Sequence, residues 1–288
     1  MATAVRGLWS RKDNDVELVA DDLEPVDDSA GEAPVAIEDP DETWLQGLWN
    51  PGFLTPGGKD YVLTQVRDLS LSPAVWLLEL EPALGGSTRT IARETGAYVT
   101  AFESAPNLAK QGAELSEKAG LAKKAEIKPF DPHGPDFRKA RYDHAYAKDG
   151  LIDLAEIDGV LKAVQKALKP KGRFILSQFL KVGDGPADTD LSILTKSRTA
   201  PAGLRTREQM AYSLGKAGFS IGSADVTNGA MQSEMVRAWS VIADFVKSNP
   251  IGDRQHAMII AECERWVRIN AALDAGTLEH VTYQANRT

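Results

Sequence analysis

Apolar positions along the chain form two recurring patterns, short continuous runs and stripes with helical spacing. Continuous runs such as "AVWLLEL" and "RFILSQFL" are typical of strands that are buried on both faces of a parallel sheet. The stripe in "LAEIDGVLKAVQKALKPKG" is typical of a helix that buries one face. The two patterns alternate along the chain, which predicts an α/β fold with a doubly wound, mostly parallel seven-stranded sheet. The predicted strands are "AVWLLEL", "AYVTAFE", "AEIKPFD", "YDHAYA", "RFILSQFL", "FSIGSADV" and "LEHVTYQA".

Two long helical patterns stand before the last predicted strand, within residues 229–274. They are "AMQSEMVRAWSVIADFV" and "DRQHAMIIAECERWVRINAAL". Each is longer than a simple crossover between strands needs, so we expect them to form a helical insertion.

Charge divides the chain near residue 43. Residues 1–43 hold 13 acidic and 3 basic residues, and the rest of the chain is nearly neutral. The acidic segment has few large apolar side chains and cannot bury a core, so we predict a disordered tail and a folded domain over residues 44–288. The tail either only solvates the domain or serves as an interaction arm, since Trp9 lies in a short basic patch at its tip. A protein partner would bind this arm or the surface of the helical insertion.

Composition excludes several classes of function. A net charge of −8 argues against a general nucleic-acid binder. No apolar run is long enough for a membrane span, and the first residues lack the apolar core of a signal peptide. The single cysteine, Cys263, fits a packing residue in a reducing compartment, so we expect a cytoplasmic protein. We find no ligand spacing typical of a zinc site and expect no metal.

Three acidic residues lie in or at the end of the first three predicted strands. Glu79 lies within the first strand, Glu103 ends the second and Asp131 ends the third. Ligands of such sheets bind at the carboxyl ends of the strands. An acid at the end of the second strand commonly accepts the hydroxyls of a ribose. The alternative for Glu103 is a favourable charge at the start of the helix that begins near Pro106.

Several segments resemble class I S-adenosylmethionine-dependent methyltransferases. "VWLLELEPALGGSTRTIARETGAYVTAFE" is similar to the first two motifs of that family, and "LKPKGRFILS" to the stretch before its fifth strand. "LWNPGFLTPGG" and "WVRINAALDAGTLEHVTYQA" resemble small-molecule methyltransferases of the phosphoethanolamine and sterol type. The resemblance covers residues 44–288 and implies methyl transfer from S-adenosylmethionine to a small molecule.

The resemblance also implies positions for the cofactor. The three spaced glycines of the family's first loop fall on Glu81, Ala83 and Gly85, and the acid of the first strand is kept as Glu79. These residues would lie close to the methionine end of the cofactor.

The remaining cofactor positions follow from the same resemblance. Glu103 would hold the ribose, and Asp131 the adenine amino group. Thr55, Gly57 and Gly58 would lie near the methionine carboxylate.

The loop departs from the family pattern, because only Gly85 of its three positions is glycine. A non-glycine residue at positive φ costs about 1–2 kcal/mol. Pro82 also pushes Glu81 toward extended geometry. We therefore expect cofactor binding to be weak or lost. The alternative function is a catalytically inactive methyltransferase-fold protein that acts as a binding or scaffold subunit.

Three residues near the end of the fourth strand are candidates for a catalytic base, which an amine or hydroxyl acceptor can need. They are His144, Tyr146 and Asp149. His144 lies inside a predicted central strand, where the alternative is a hydrogen-bonded core residue.

Overall fold

A computed structural model of the protein describes residues 46, 48–154, 156–183, 194, 204–248 and 252–288. The predicted acidic tail, with Trp9, lies outside the described residues.

The strands form one seven-stranded sheet in the order β3-β2-β1-β4-β5-β7-β6. Their bounds are β1 Trp76–Leu80, β2 Tyr98–Glu103, β3 Ala125–Pro129, β4 Tyr142–Lys148, β5 Leu168–Lys181, β6 Phe219–Val226 and β7 Leu278–Arg287. Strands β1 to β5 pair in parallel, and β7 runs antiparallel between β5 and β6. This confirms the predicted seven-stranded, mostly parallel sheet.

Helices cover both faces of this sheet. They are α1 Lys59–Val66, α2 Gly86–Thr95, α3 Pro106–Lys118, α4 Ile157–Ala167, α5 Arg207–Ala217, α6 Asn228–Ser248 and α7 Asp253–Asp274. Short 3₁₀ helices span Arg67–Leu69 and Gly150–Asp153. Helices α6 and α7 form the predicted helical insertion before the last strand. None of the helices in the described part of the chain is long and apolar enough to cross a membrane.

The central strand β1 shows why the sheet needs two helical layers. Its residues alternate between faces, so Leu77 joins one apolar cluster and Leu78 joins the other. The first cluster takes in Val62 of α1, Met231 of α6 and Trp266 of α7. A strand that is apolar on both faces is stable only when both faces are covered.

The second face is covered by α4 and α5. Val160 of α4 and Met210 of α5 pack with Leu78 in the second cluster. The order of the strands reverses at β1 and β4, because β1 pairs with β2 on one side and with β4 on the other. This reversal opens a crevice at the carboxyl ends of the two strands.

Candidate active site

A cleft lies at this reversal. It holds about 770 Å³ including its open mouth. It is lined by Phe53, Leu54, Thr55, Glu79, Leu80, Glu81, Pro82, Ala83, Ser87, Lys148, Asp149, Gly150, Asp153, Phe179, Leu194, Arg265, Trp266 and Ile269. The segment before α1, the loop after β1 and the end of β4 thus meet helix α7 at one place.

The loop between β1 and α2 takes a left-handed backbone at every second residue. The φ angle is 53° at Glu81, 52° at Ala83 and 76° at Gly85. These are the three positions that the family resemblance assigns to glycine. The loop therefore keeps a glycine-type conformation with two non-glycine residues in it, at a cost of about 1–2 kcal/mol for each.

Hydrogen bonds hold the loop in this conformation. The Glu81 N–H donates to the carbonyl of Phe102 at 2.8 Å, and the Gly85 N–H donates to the carbonyl of Pro82 at 2.9 Å. The Ala83 N–H donates to Glu103 Oε2 at 2.8 Å. These bonds offset the strain, because each buried N–H would otherwise lack a partner.

Two glycines make close approaches around the loop. A Cβ added at Gly86 would lie 2.8 Å from the backbone carbon of Gly52 and would overlap the Phe53 ring. A Cβ added at Gly150 would overlap the Cβ of Glu81. The absence of a side chain at Gly150 therefore makes room for the side chain of Glu81.

Glu79 is the most buried carboxylate of the cleft wall, with 2% of its surface exposed. The Ser87 hydroxyl donates to its Oε1, whereas Oε2 has no hydrogen-bond partner in the described structure. Burial raises the pKa of Glu79 to about 7, although the hydrogen bond from Ser87 and the charge of Arg89 act to lower it. A buried oxygen without a partner is costly, so this atom is suited to accept a hydrogen bond from a ligand.

Glu103 supports the loop from behind. Its Oε2 accepts from Ala83, as above, and its Oε1 accepts from the N–H of Ala105 at 3.1 Å. The side chain is buried and is not among the residues that line the cleft. Asp131 lies in an exposed turn after β3, where its Oδ1 accepts from the N–H of His133 at 2.9 Å. Their predicted contacts with a nucleoside stay predictions.

An ion pair forms the opposite wall of the cleft at the end of β4. Lys148 Nζ lies 2.9 Å from Asp149 Oδ2 and donates to Thr55 Oγ1 at 3.0 Å. Burial acts to raise the pKa of Asp149, but Lys148 and His280 outweigh it and hold that pKa at about 2. Asp149 is therefore an anion at neutral pH.

His280 of β7 lies directly behind Asp149 and is fully buried. Its Nε2 is 3.0 Å from Asp149 Oδ1, and its Nδ1 is 2.7 Å from Thr227 Oγ1. When the Thr227 hydroxyl donates to Nδ1, the proton of the neutral ring lies on Nε2 and points at the carboxylate. The His280 ring also contacts Phe179, which lines the cleft, edge-on at 4.8 Å between centroids.

An aromatic wall completes this side of the cleft. Trp266 packs edge-on against Trp49 with centroids 5.4 Å apart and lies 6.3 Å from Phe179. Arg265 lies over the Trp266 ring at 4.9 Å, and its Nη1 lies 3.0 Å from Glu262 Oε1. The wall therefore offers a flat apolar surface with a guanidinium at its edge.

The candidate bases of β4 lie in different surroundings. Asp149 lines the cleft, whereas Tyr146 is fully buried and its hydroxyl donates to Gln65 Oε1 at 2.9 Å. His144 is half-buried near the start of the strand, where its Nδ1 accepts from the N–H of Arg173 at 3.2 Å. Burial and Arg173 lower the pKa of His144. The structure thus brings Asp149 to the cleft but neither of the other two.

Thr55 lies in the cleft wall, but Gly57 and Gly58 are not among its lining residues. Gly57 has a φ of 104°, and a Cβ there would come within 2.8 Å of the Lys148 Cε atom. Gly57 thus lets the Lys148 side chain pass toward Thr55. Its role and that of Gly58 in cofactor binding stay predictions.

Sequence reasoning missed Lys148, His280 and the aromatic wall of α7. Lys148 could have been found, because it ends β4 directly before Asp149. His280 gave no signal, since it lies 131 residues from Asp149 in sequence. Within the described ranges, no group of three or more potential ligands could hold a metal ion. Cys263 is half-buried, and burial raises the pKa of its thiol to about 11.

The comparisons with known proteins agree with this geometry. A family model described as "Methyltransferase domain" matches residues 80–176, which run from the end of β1 into β5. Over these residues the chain is similar to methyltransferases, as the motifs in its sequence predict. A sterol 4-C-methyltransferase of Caenorhabditis elegans is 33% identical over 120 residues, which is 42% of this chain. The matched segment spans only 36% of that relative.

Solved structures extend the likeness over most of the chain. Phosphoethanolamine N-methyltransferase 2 of Haemonchus contortus, in complex with phosphomonomethylethanolamine and S-adenosylhomocysteine, has a TM-score of 0.73 at 17% identity. That match covers 87% of this chain and 58% of the other. The cyclase SpnF matches with a TM-score of 0.66 at 16% identity over 86% of this chain and 93% of its own. The fold is thus shared with a protein that is named for a different reaction.

Proposed function

We propose that this protein transfers a methyl group from S-adenosylmethionine to a small-molecule acceptor in the cleft. The observation that carries the proposal is the β1–α2 loop, which holds left-handed φ angles at Glu81, Ala83 and Gly85 although two of these residues are not glycine. Strain of this kind persists where the surrounding structure fixes it, and it is concentrated at functional sites.

The residues on this wall fit the nucleoside cofactor. Glu79 has a buried carboxylate oxygen with no hydrogen-bond partner among the described residues, which suits a hydrogen-bond donor such as an α-amino group. Gly86 allows close contact between the loop and the segment at Gly52, and this contact holds the wall in place. When bound, S-adenosylmethionine supplies a methyl group that its sulfonium already activates, so the protein mainly has to orient the acceptor and exclude water.

Asp149 orients the acceptor in this proposal. Its pKa of about 2 makes it a poor base at neutral pH, because a useful base has a pKa closer to the operating pH. As an anion with Lys148 and His280 behind it, the carboxylate accepts a hydrogen bond from an N–H or O–H of the acceptor. Asp149 therefore binds the acceptor, and the proton that the acceptor loses passes to solvent.

The aromatic wall would hold the rest of the acceptor. Phe179 and Trp266 present flat apolar surfaces, and Arg265 lies at their edge. An acceptor with an apolar body and one polar nucleophilic group matches both walls. Sterols are an acceptor class with such an apolar body, and one of the relatives named above is a sterol 4-C-methyltransferase.

Calorimetry with S-adenosylmethionine and S-adenosylhomocysteine tests the cofactor half of the proposal. Transfer of labelled methyl to a panel of phosphoethanolamine, sarcosine and a sterol tests the acceptor half. We expect saturable binding of both nucleosides and transfer to at least one acceptor, which Asp149→Asn should slow at least tenfold without changing nucleoside affinity.

Two results would contradict the proposal. Absence of nucleoside binding at millimolar concentration would exclude the cofactor. Binding without transfer to any acceptor of the panel would instead support the non-catalytic alternative. Lys162→Gln on the exposed side of α4 is the matched control for loss of a charge far from the cleft.

A further inference from the structure

A second charged surface lies at the amino ends of the parallel strands, at the opposite end of the sheet from the cleft. The register pairs Trp76 with Tyr98 at the starts of β1 and β2. Lys124 directly precedes β3, and Arg141 directly precedes β4. In the order of the sheet, these four side chains therefore form a row with a cation at each end.

The side chains of this row are stacked on one another. The guanidinium carbon of Arg141 lies 3.5 Å from the centre of the Trp76 ring. The rings of Trp76 and Tyr98 are stacked, with centroids 4.6 Å apart and 12° between their planes. Lys124 Nζ lies 5.6 Å from the centre of the Tyr98 ring. A guanidinium that lies flat on an indole keeps its N–H groups in its own plane, where they can bind carboxylates.

Further basic side chains surround this row. The Arg141 N–H donates to the carbonyl of Ala167 at 2.9 Å, which brings the start of β4 beside the end of α4. Lys169 pairs with Asp143 at 2.7 Å, and the nearby Glu126 pairs with its own neighbour on β3, so these two acids are already engaged. We call the following residues the basic edge: Lys123, Lys124, Lys139, Arg141, Lys166, Lys169, Lys171 and Arg173.

The chain contains an acidic stretch that complements this surface. Residues 13–42 hold 13 acidic residues and no basic residue. The stretch is joined to Gln46, whose Oε1 accepts from the N–H of Gly52 at 2.8 Å, next to Phe53 of the cleft lining.

The acidic stretch is long enough to reach the basic edge. Strand β1 has five residues, so its two ends are about 17 Å apart. About 15 extended residues span roughly 50 Å, which allows a path around the helices that cover the sheet. Counted back from Gln46, this length ends near residue 31, and most of the acidic residues lie before it.

We propose that the acidic stretch, residues 13–42, docks on the basic edge of its own chain. Its carboxylates pair with the guanidinium of Arg141 and with the lysines around it. Each such pair at a surface is weak, but a tethered segment binds at a high effective concentration, and several pairs act together. This docking does not depend on the proposed function.

Carbodiimide cross-linking of the full chain tests the docking, because this reagent joins a carboxylate to an amine only when the two are in contact. Lys169 and Asp143 should link and show that the reaction has worked. We expect the carboxylates of residues 13–42 to link to lysines of the basic edge about threefold or more over Lys128 and Lys247, which are exposed elsewhere. Mass spectrometry of the peptides measures this ratio, and high salt should reduce it.

A double substitution tests the stacked row itself. Lys124→Gln with Arg141→Gln removes the cations at its two ends and should lower the links from residues 13–42 to Lys171 by about threefold or more. Lys128→Gln with Lys247→Gln removes the same charge elsewhere and is the matched control, which should leave these links unchanged.

A second double substitution avoids the packing of Arg141 on Trp76. Lys139→Gln with Lys171→Gln changes two exposed side chains. It should lower the links to Lys124 in the same way, and it replaces the first variant if that one does not fold.

Several results would overturn the docking. Links distributed evenly over the basic edge and the control lysines, or links that survive both substitutions of the edge, would exclude the edge as the binding surface. In a mixture of isotope-labelled and unlabelled protein, links between the two would place the acidic stretch on a second copy instead. If residues 13–42 do not link to the edge and the full chain binds vesicles of anionic lipid through Lys124 and Arg141, the edge contacts a membrane surface.

Discussion

The two walls of the cleft are stabilised in different ways. The loop wall is held by backbone hydrogen bonds around residues at positive φ, with Glu81 and Ala83 where glycine is favoured. The opposite wall is held by side chains, Lys148 and His280 on either side of the Asp149 carboxylate. The first wall tolerates a change of residue because strain costs about 1–2 kcal/mol. The second does not, because a buried charge that loses its partner costs more.

The largest expected effect is on the side-chain wall. His280→Phe keeps a ring of similar size but removes the hydrogen bond to Asp149. We expect a loss of about 1.5–3 kcal/mol in the free energy of unfolding, as for a hydrogen bond to a charged group, because Lys148 still pairs with Asp149. His256→Phe on the exposed face of α7 is the control. Chemical denaturation measures the free energy of unfolding of both variants. A loss below 1 kcal/mol in His280→Phe would show that the His280 ring does not stabilise the Asp149 carboxylate.

The pH dependence of stability sharpens this test. The pKa of Asp149 is about 2 in the folded protein and about 3.9 in an unfolded chain, so its ionised form contributes stability above about pH 4. That contribution is lost as the pH falls through 4 toward 2. We expect the stability gap between the wild type and Asp149→Asn to narrow over this range. A gap that is constant between pH 5 and pH 2 would contradict the depressed pKa.

The next largest effect on stability is expected from the close contact of Gly86 with Gly52 and Phe53. Gly86→Ala places a Cβ against the Phe53 ring and the backbone of Gly52. We expect a loss of about 1–3 kcal/mol and weaker binding of S-adenosylhomocysteine. Gly159→Ala in α4, where a new Cβ meets no atom of the described residues within 4 Å, should gain up to about 1 kcal/mol. Equal changes in stability for the two substitutions would contradict the close approach of Gly86 to Gly52 and Phe53.

Glu103 tests whether the loop depends on its support from β2. Glu103→Gln removes one acceptor oxygen and leaves the N–H of Ala83 or Ala105 without its partner. We expect a loss of about 1–3 kcal/mol in stability. Weaker binding of S-adenosylhomocysteine should accompany it, since the loop shifts. Weaker binding with unchanged stability would favour direct contact with the ribose, as the family resemblance implies.

The smallest expected effect on stability comes from the backbone strain at Ala83. Ala83→Gly relieves the left-handed strain but adds chain entropy to the unfolded state, so we expect a change within about 1 kcal/mol. Ala257→Gly on the exposed face of α7 has no strain to relieve and should cost about 1 kcal/mol. The comparison of the two by thermal denaturation isolates the strain. An equal cost at both positions would show that Ala83 is unstrained.

The sequence by itself determined the strands, the helices and the carboxyl ends at which ligands bind. Runs that are apolar on both faces allow only a covered sheet, and the acids within and after the first strands follow from the order of the chain. It also placed Asp149 after β4. The resemblance of "LLELEPALGGSTR" to a family motif located the loop. The residue types alone could not show whether the backbone is left-handed at Glu81 and Ala83.

Only the tertiary structure decided how these residues are used. The bend at Glu81 depends on the space left by Gly150, and the bend at Ala83 depends on Glu103. The low pKa of Asp149 depends first on its neighbour Lys148 and then on His280, which is 131 residues away in the sequence. Except for Lys148, each of these partners lies in a distant part of the chain, and the free energy of its contact depends on burial and distance, which the local pattern of residues does not encode.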